Sequence, residues 1–192
     1  MDIVVKNLNK AYGAKVVLSD TSMTFPEGKR TVVMGDSGCG KTTLLRILMG
    51  LENPDSGQIL GIPKHISAVF QEDRLFDEFN AAANITFVAP KGTTNEIILQ
   101  HLEEVGLQDS LFQSINKMSG GMKRRVVIVR AMLAKKELLL LDEPLKGLDE
   151  QNRDRTAAYI KRHSEGITTI MVTHDADEIP LMDANLILME TQ

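Results

Sequence analysis

Gly35-Asp36-Ser37-Gly38-Cys39-Gly40-Lys41-Thr42 follows the pattern G-x-x-x-x-G-K-[ST]. Glycines at these positions let backbone N–H groups curl around phosphate oxygens, and a helix starting where the loop ends adds the partial positive charge of its N-terminus. That chemistry casts Lys41 as the group reaching the β- and γ-phosphates and the Thr42 hydroxyl as a Mg2+ ligand, with Thr43 beside it in the same cradle. Cys39 reads as a small filler of the loop. A second element is Leu138-Leu139-Leu140-Leu141-Asp142-Glu143-Pro144, in which four apolar residues run directly into two acids. Charge at the end of a buried strand is costly unless it has a role. Asp142 can hold Mg2+ through its water shell, and strand alternation turns Glu143 to the other side, toward a water attacking the γ-phosphate. A third element, Met118-Ser119-Gly120-Gly121-Met122, opens a helical stretch with Ser119 as N-cap and two glycines exposing the first N–H groups, a second anion-binding helix start. Together these describe a nucleoside-triphosphate site, a device shared by kinases, GTPases, helicases and motor ATPases.

The elements that must position these residues can be read from periodicity. Ile3 to Val5, Val16 to Phe25 and Arg30 to Met34 have strand composition, broken by turn signals at Gly13 and Pro26-Glu27-Gly28. A helix follows Gly40, with Leu44, Leu45, Ile47 and Leu48 on its apolar face, and ends at Gly50. Gln58 to Leu60 and Ile66 to Phe70 read as short strands around a turn at Gly61 to Pro63. From residue 72 to 134 the pattern is helical, over Ala81 to Phe87, Asn95 to Val105 and Gly120 to Leu133. Strand Glu137 to Leu141, helix Asp149 to His163, strand Ile167 to Val172, a short helix near Asp175 to Leu181 and strand Leu186 to Met189 complete the order. Strands alternating with helices predict an α/β fold with a mostly parallel sheet.

Composition narrows the class. A chain of 192 residues, 43% hydrophobic and 25% charged, is that of one globular domain. The net charge of −4 argues against a nucleic-acid partner, and Lys123-Arg124-Arg125 and Lys161-Arg162-His163 read as solvated helix faces. No apolar run approaches the roughly 18 residues a membrane helix needs, the N-terminus lacks a secretory-signal pattern, and a single cysteine fits a reducing cytoplasm.

The motif that chooses among nucleotide enzymes is Met118 to Met122. Its place, about twenty residues before Asp142-Glu143, resembles the Leu-Ser-Gly-Gly-Gln signature of the ATP-binding cassette (ABC) family. Tyr12 stands where that family has an aromatic residue stacking on adenine. Gln71 stands where it has a glutamine that senses the γ-phosphate and Mg2+. Gly147-Leu148-Asp149 is similar to its D-loop, and His174 to its switch histidine. The resemblance covers about Ile3 to Met189. It departs at Met118, a volume-conserving change from leucine, and at Met122, which removes a polar side chain from the signature.

The resemblance implies a P-loop core at about 1–71 and 135–192, with an N-terminal antiparallel β-subdomain and an inserted helical subdomain at about 72–134. It implies ATP and Mg2+ as cofactors. The phosphates would lie against Gly35, Asp36, Ser37, Gly38, Cys39, Gly40, Lys41, Thr42 and Thr43, with Tyr12 on the base. Thr42, Gln71 and Asp142 would surround the metal, and Glu143, His174, Gln71 and Lys41 would act in hydrolysis. It further implies a head-to-tail dimer in which Ser119, Gly120 and Gly121 of one subunit complete the partner's site. Val69-Phe70-Gln71-Glu72-Asp73-Arg74-Leu75-Phe76 is similar to a run in importers of the nitrate, sulfonate and taurine group, with Asp77-Glu78 replacing Pro-Trp. The implied partners are a second such subunit, a membrane permease and an extracytoplasmic solute-binding protein. The implied location is the inner face of the cell membrane, and the chain is expected to stop at its last strand without a regulatory domain. An exporter or lipoprotein-release ATPase shares every nucleotide motif and stays open here, as does a soluble cassette ATPase acting on nucleic acid or ribosomes.

Overall fold

The computed structural model describes residues 1–190. Strands β1 (Ile3–Tyr12), β2 (Lys15–Phe25) and β4 (Ser56–Leu60) form an antiparallel sheet in the order β2-β1-β4. Strands β3 (Arg30–Met34), β5 (Ile66–Val69), β6 (Leu138–Asp142), β7 (Thr168–Thr173) and β8 (Asn185–Leu188) form a second sheet in the order β5-β6-β7-β3-β8, with every pairing parallel. The expected α/β class and the separate antiparallel sheet are both present. Helix α1 (Lys41–Leu48) follows β3; α2 (Ala81–Thr86), α3 (Asn95–Glu104) and α4 (Gly120–Leu133) lie between β5 and β6; α5 (Glu150–His163) and α6 (Glu178–Met182) follow β6 and β7.

Two readings of the strands change. The segments around Gly61 to Pro63 do not pair with each other: β4 joins the antiparallel sheet and β5 the parallel one. β1 runs on to Tyr12 rather than ending near Val5, because as the central strand it pairs on both edges, through register shifts that break the alternation of its side chains.

The Leu run of β6 is buried on both faces, as central parallel strands are. Leu138 and Leu140 join a cluster with Ile3, Val5, Phe25 and the Leu44, Leu45 and Leu48 face of α1. Leu139 and Leu141 join a second cluster with α2, α3, α4 and α5. At about 1.5–3 kcal/mol for each fully buried side chain, this two-sided packing fixes the height at which Asp142 and Glu143 leave the sheet. The register pairs Met34 with Thr173 and Asp142 with Val172, so β3, β6 and β7 end at one level. Ligands of open α/β sheets bind at these carboxyl ends. Among the described residues, no helix is long and apolar enough to cross a membrane.

Candidate functional site

β3 delivers the glycine loop to this edge of the sheet. Gly35 and Gly40 are dictated by space: a Cβ on Gly35 would lie 2.2 Å from the Met189 carbonyl oxygen, and one on Gly40 2.7 Å from that of Val17, with Gly40 also at φ +99°. Gly40 is the N-cap of α1 and brings no side chain to that helix start, so its first N–H groups face the loop. Lys41 folds over the loop, its Nζ donating to the Gly35 and Asp36 carbonyls at 2.6 and 2.8 Å. Cys39 is buried, packed in the core beneath. The loop opens on a cleft of about 310 Å3 whose walls include Tyr12, Thr42, Thr43, Gln71, Asp142 and Glu143. Tyr12 is 46% exposed, and the Lys10 ammonium lies over its ring, 5.3 Å from the centroid.

Thr42 Oγ1 lies 3.4 Å from Asp142 Oδ1. Asp142 is 4% exposed, and burial pushes its carboxyl above the usual range. Glu143 does not reach the site by strand alternation. The strand ends at Asp142, and Glu143 turns out of it in the left-handed region at φ 46°. This conformation costs a non-glycine residue roughly 1–2 kcal/mol. It aims both acids into the same cleft, which corrects the opposite-sides reading. Glu143 Oε1 bonds His174 Nδ1 at 2.7 Å, while Oε2 accepts from Lys146 Nζ at 2.7 Å and Gln71 Nε2 at 3.4 Å. Burial alone would raise the Glu143 carboxyl, but Lys146 and His174 outweigh it and hold the group below the usual range, ionised at neutral pH.

The structure thus brings Tyr12, the glycine loop, Gln71, Asp142, Glu143 and His174 together, and it does not bring Ser119, Gly120 or Gly121 to them. Those three open α4 away from the cleft, where Ser119 Oγ accepts from the Met122 N–H at 3.3 Å. Gly120 has open space around its would-be Cβ and no positive φ, so nothing in its own chain requires a glycine there.

Two side chains that touch the site, Lys146 and Arg124, lie outside the sequence expectations. Lys146, one turn beyond Glu143, had no motif to mark it. Arg124 and Arg125 were expected on a solvated face and are 5% and 8% exposed. Arg124 donates to the carbonyls of Phe70 (2.6 Å), Asp142 (2.7 Å), Glu143 (2.7 Å) and Pro144 (3.0 Å), and to the Asp73 carboxylate at 3.2 Å. One guanidinium therefore ties the start of α4 to the segment carrying Gln71 and to the turn carrying Glu143. The helical period carried the signal, since Arg124 shares a face with buried Ile128 and Met132. Arg124→Ala strands two buried carbonyls, of Asp142 and Pro144, two half-buried ones, of Phe70 and Glu143, and the Asp73 charge. We expect a loss of about 3–5 kcal/mol in denaturant unfolding, with turnover impaired even below the new melting temperature. Unchanged unfolding would contradict this strut.

Comparison with known proteins follows the same lines. A family described as ABC transporter matches residues 18–146. The chain is 39% identical over 202 residues to the spermidine/putrescine import ATP-binding protein PotA of Mesoplasma florum, covering 96% of this chain and 58% of that protein. It is 38% identical over 197 residues to the aliphatic sulfonates import ATP-binding protein SsuB 2 of Pseudomonas fluorescens, covering 98% and 73%. The PotA of Haemophilus influenzae is 34% identical, with 97% and 55% covered. The chain thus spans little more than half the length of its PotA relatives. A glycine-loop cleft faced by Asp142, Glu143, Gln71 and His174, a separate Ser119-Gly120-Gly121 helix start, and these matches lead to one conclusion: the chain belongs to the ABC transporter family.

Proposed function

We propose that this chain is the ATP-binding and ATP-hydrolysing subunit of an importer, working as a dimer on a separate membrane permease. The observation that carries the reading is the convergence of Glu143, His174 and Gln71 at the mouth of the glycine-loop cleft. In this reading the loop N–H groups and Lys41 hold the phosphates, and Tyr12 packs on the base. The buried Asp142 carboxylate and the Thr42 hydroxyl fit a magnesium ion, whose charge would offset the burial that disfavours ionised Asp142. The ion would neutralise phosphate charge. Glu143, held ionised but made less basic by its ion pairs, orients the attacking water, and His174 and Lys41 stabilise developing charge.

The exposed start of α4 supports a dimer. Gly120 has no reason within its own chain to lack a side chain, whereas close approach of a second copy's nucleotide supplies one. ATP then favours the closed dimer because both faces contribute contacts. Phe76, Phe79 and Phe87, each 46–59% exposed, meet edge to face with centroids 5.2–6.2 Å apart, just beyond Gln71. An exposed aromatic group of this kind suits a protein partner. We assign it to the permease, with residues 72–134 acting as a helical subdomain, and place the chain at the inner face of the membrane. A solute-binding protein would complete the system. That relatives named for polyamines and for sulfonates match about equally fits a subunit that does not touch the solute.

The test is phosphate release from ATP by the purified chain together with its recovery bound to a permease from detergent-solubilised membranes. Phe79→Ser/Phe87→Ser is expected to lower permease recovery several-fold while basal ATP turnover stays within about twofold. Absence of turnover both alone and with the permease would overturn the reading.

A further inference from the structure

A second cluster of chemically able side chains lies outside the nucleotide cleft, where the end of α3 meets the end of α5. His101 and Glu104, three residues apart, share one face of α3. His163 is the last residue of α5. Its Nε2 lies 3.0 and 3.1 Å from the two Glu104 carboxylate oxygens. One ligand atom from each of the three falls within 4.8 Å of the others. The His101 and His163 rings stand 4.7 Å apart, and Tyr159, one turn before His163, packs on both.

We propose that His101, Glu104 and His163 form a zinc site that pins α3 to α5. Zn2+ bound by two imidazoles and a carboxylate has bonds of roughly 2.0–2.2 Å. Tetrahedral ligands at those lengths stand roughly 3.3 Å apart; His163 Nε2 and the Glu104 carboxylate, joined at 3.0 and 3.1 Å by a hydrogen bond whose proton an ion would replace, need to part only slightly, and His101 offers the third ligand atom within 4.8 Å. Two imidazoles select a borderline ion such as zinc over magnesium or calcium, which prefer all-oxygen shells. The site also has an outer shell. Tyr159, 1% exposed, bonds His101 Nδ1 at 2.7 Å. Coordination through Nε2 keeps that hydroxyl as the partner that sets the ring's orientation. Arg162 and His163 both contact the Glu104 carboxylate and hold it at the seam. Three protein ligands leave a fourth position for water.

The consequence is mechanical. α3 belongs to the strand-free stretch between β5 and β6, whereas α5 shares a core cluster with Leu139, Leu141 and Met171 of the parallel sheet. Arg155 already spans this seam, donating to the backbone carbonyls of Glu103 and Glu104 at 2.5 and 2.9 Å. A bound ion would replace an adjustable polar seam by bonds of fixed length.

The experiment is equilibrium dialysis of the metal-free, nucleotide-free chain, with any affinity tag removed, against zinc chloride alone. The expected result is about one equivalent bound at micromolar or tighter affinity. His163→Asn and His101→Asn each weaken it by about tenfold or more, and His65→Asn, in the separate His65–Glu137 pair outside the cluster, leaves it unchanged. Cobalt(II) added to the unsubstituted chain gives visible bands of a tetrahedral site that zinc bleaches, which keeps the test valid if a variant fails to fold. No zinc bound at about 100 µM, affinity unchanged in both variants, or no zinc-sensitive cobalt bands would each overturn the site. None of these readouts depends on ATP hydrolysis, so they stand or fall apart from the proposed function.

Discussion

Glu143→Gln is expected to lower ATP turnover by about 10²- to 10³-fold, the range for removing a positioned base or electrostatic group, while ATP affinity stays within a few-fold. Glutamine keeps the size of the side chain and the left-handed backbone position at φ 46°, and it can still meet His174 and Lys146. It loses the negative charge, and with it the ability to accept a proton from water or hold water against the γ-phosphate. The phosphate contacts of the loop and of Lys41 are untouched, so binding persists. Steady-state phosphate release and equilibrium binding of a fluorescent ATP analogue measure the two halves separately. Turnover within about twofold of the unsubstituted chain would remove Glu143 from the chemistry.

Lys41→Ala is expected to act on the other half, weakening ATP binding by roughly 10²-fold or more, the scale of losing one partner of a buried charge pair. Lys41 is 7% exposed and its ammonium is held over the loop by the Gly35 and Asp36 carbonyls. Its charge is therefore desolvated and aimed before any phosphate arrives, which is what makes a charge-assisted contact strong. The same variant leaves those two carbonyls without their donor. A melting curve must accompany the titration, so that loss of affinity is read on folded protein. ATP affinity within about threefold of the original would contradict the assignment of the loop as the phosphate cradle.

How much of this was legible in the sequence depends on whether the signal was local. The bounds of β3 and α4 follow the residue pattern, because each has a strong stop: Pro26-Glu27-Gly28 and Gly35 around β3, Ser119 before α4. The glycine loop and Asp142-Glu143 each carry a short motif, Gln71 and His174 stand out only through the family resemblance, and the structure gathers the loop, Gln71 and both acids at one cleft with His174 bonded to Glu143. The resemblance to importers with sulfonate-type cargo also agrees with the relatives found. What escaped was tertiary. The full length of β1 depends on two partner strands far along the chain, and the separation of β4 from β5 on which sheet each joins. Arg124 looked like surface charge because composition outweighed helical phase. Only the meeting of β5, β6 and α4 shows that backbone carbonyls converge where its guanidinium sits. Glu143 points inward through a left-handed turn rather than through strand alternation, and nothing local in the residue pattern marks that turn.

The central claim is that one chain carries an ATP site which a second copy completes with the start of α4. The mass of the Glu143→Gln chain in solution, measured by light scattering with and without Mg-ATP, tests it most directly. The account predicts 21.2 kDa without nucleotide and twice that mass with it, and reversion to the single-chain mass when Gly120→Glu is added, a position open to a side chain within its own fold. A mass that stays at 21.2 kDa with ATP saturating, or a dimer indifferent to Gly120→Glu, would contradict it.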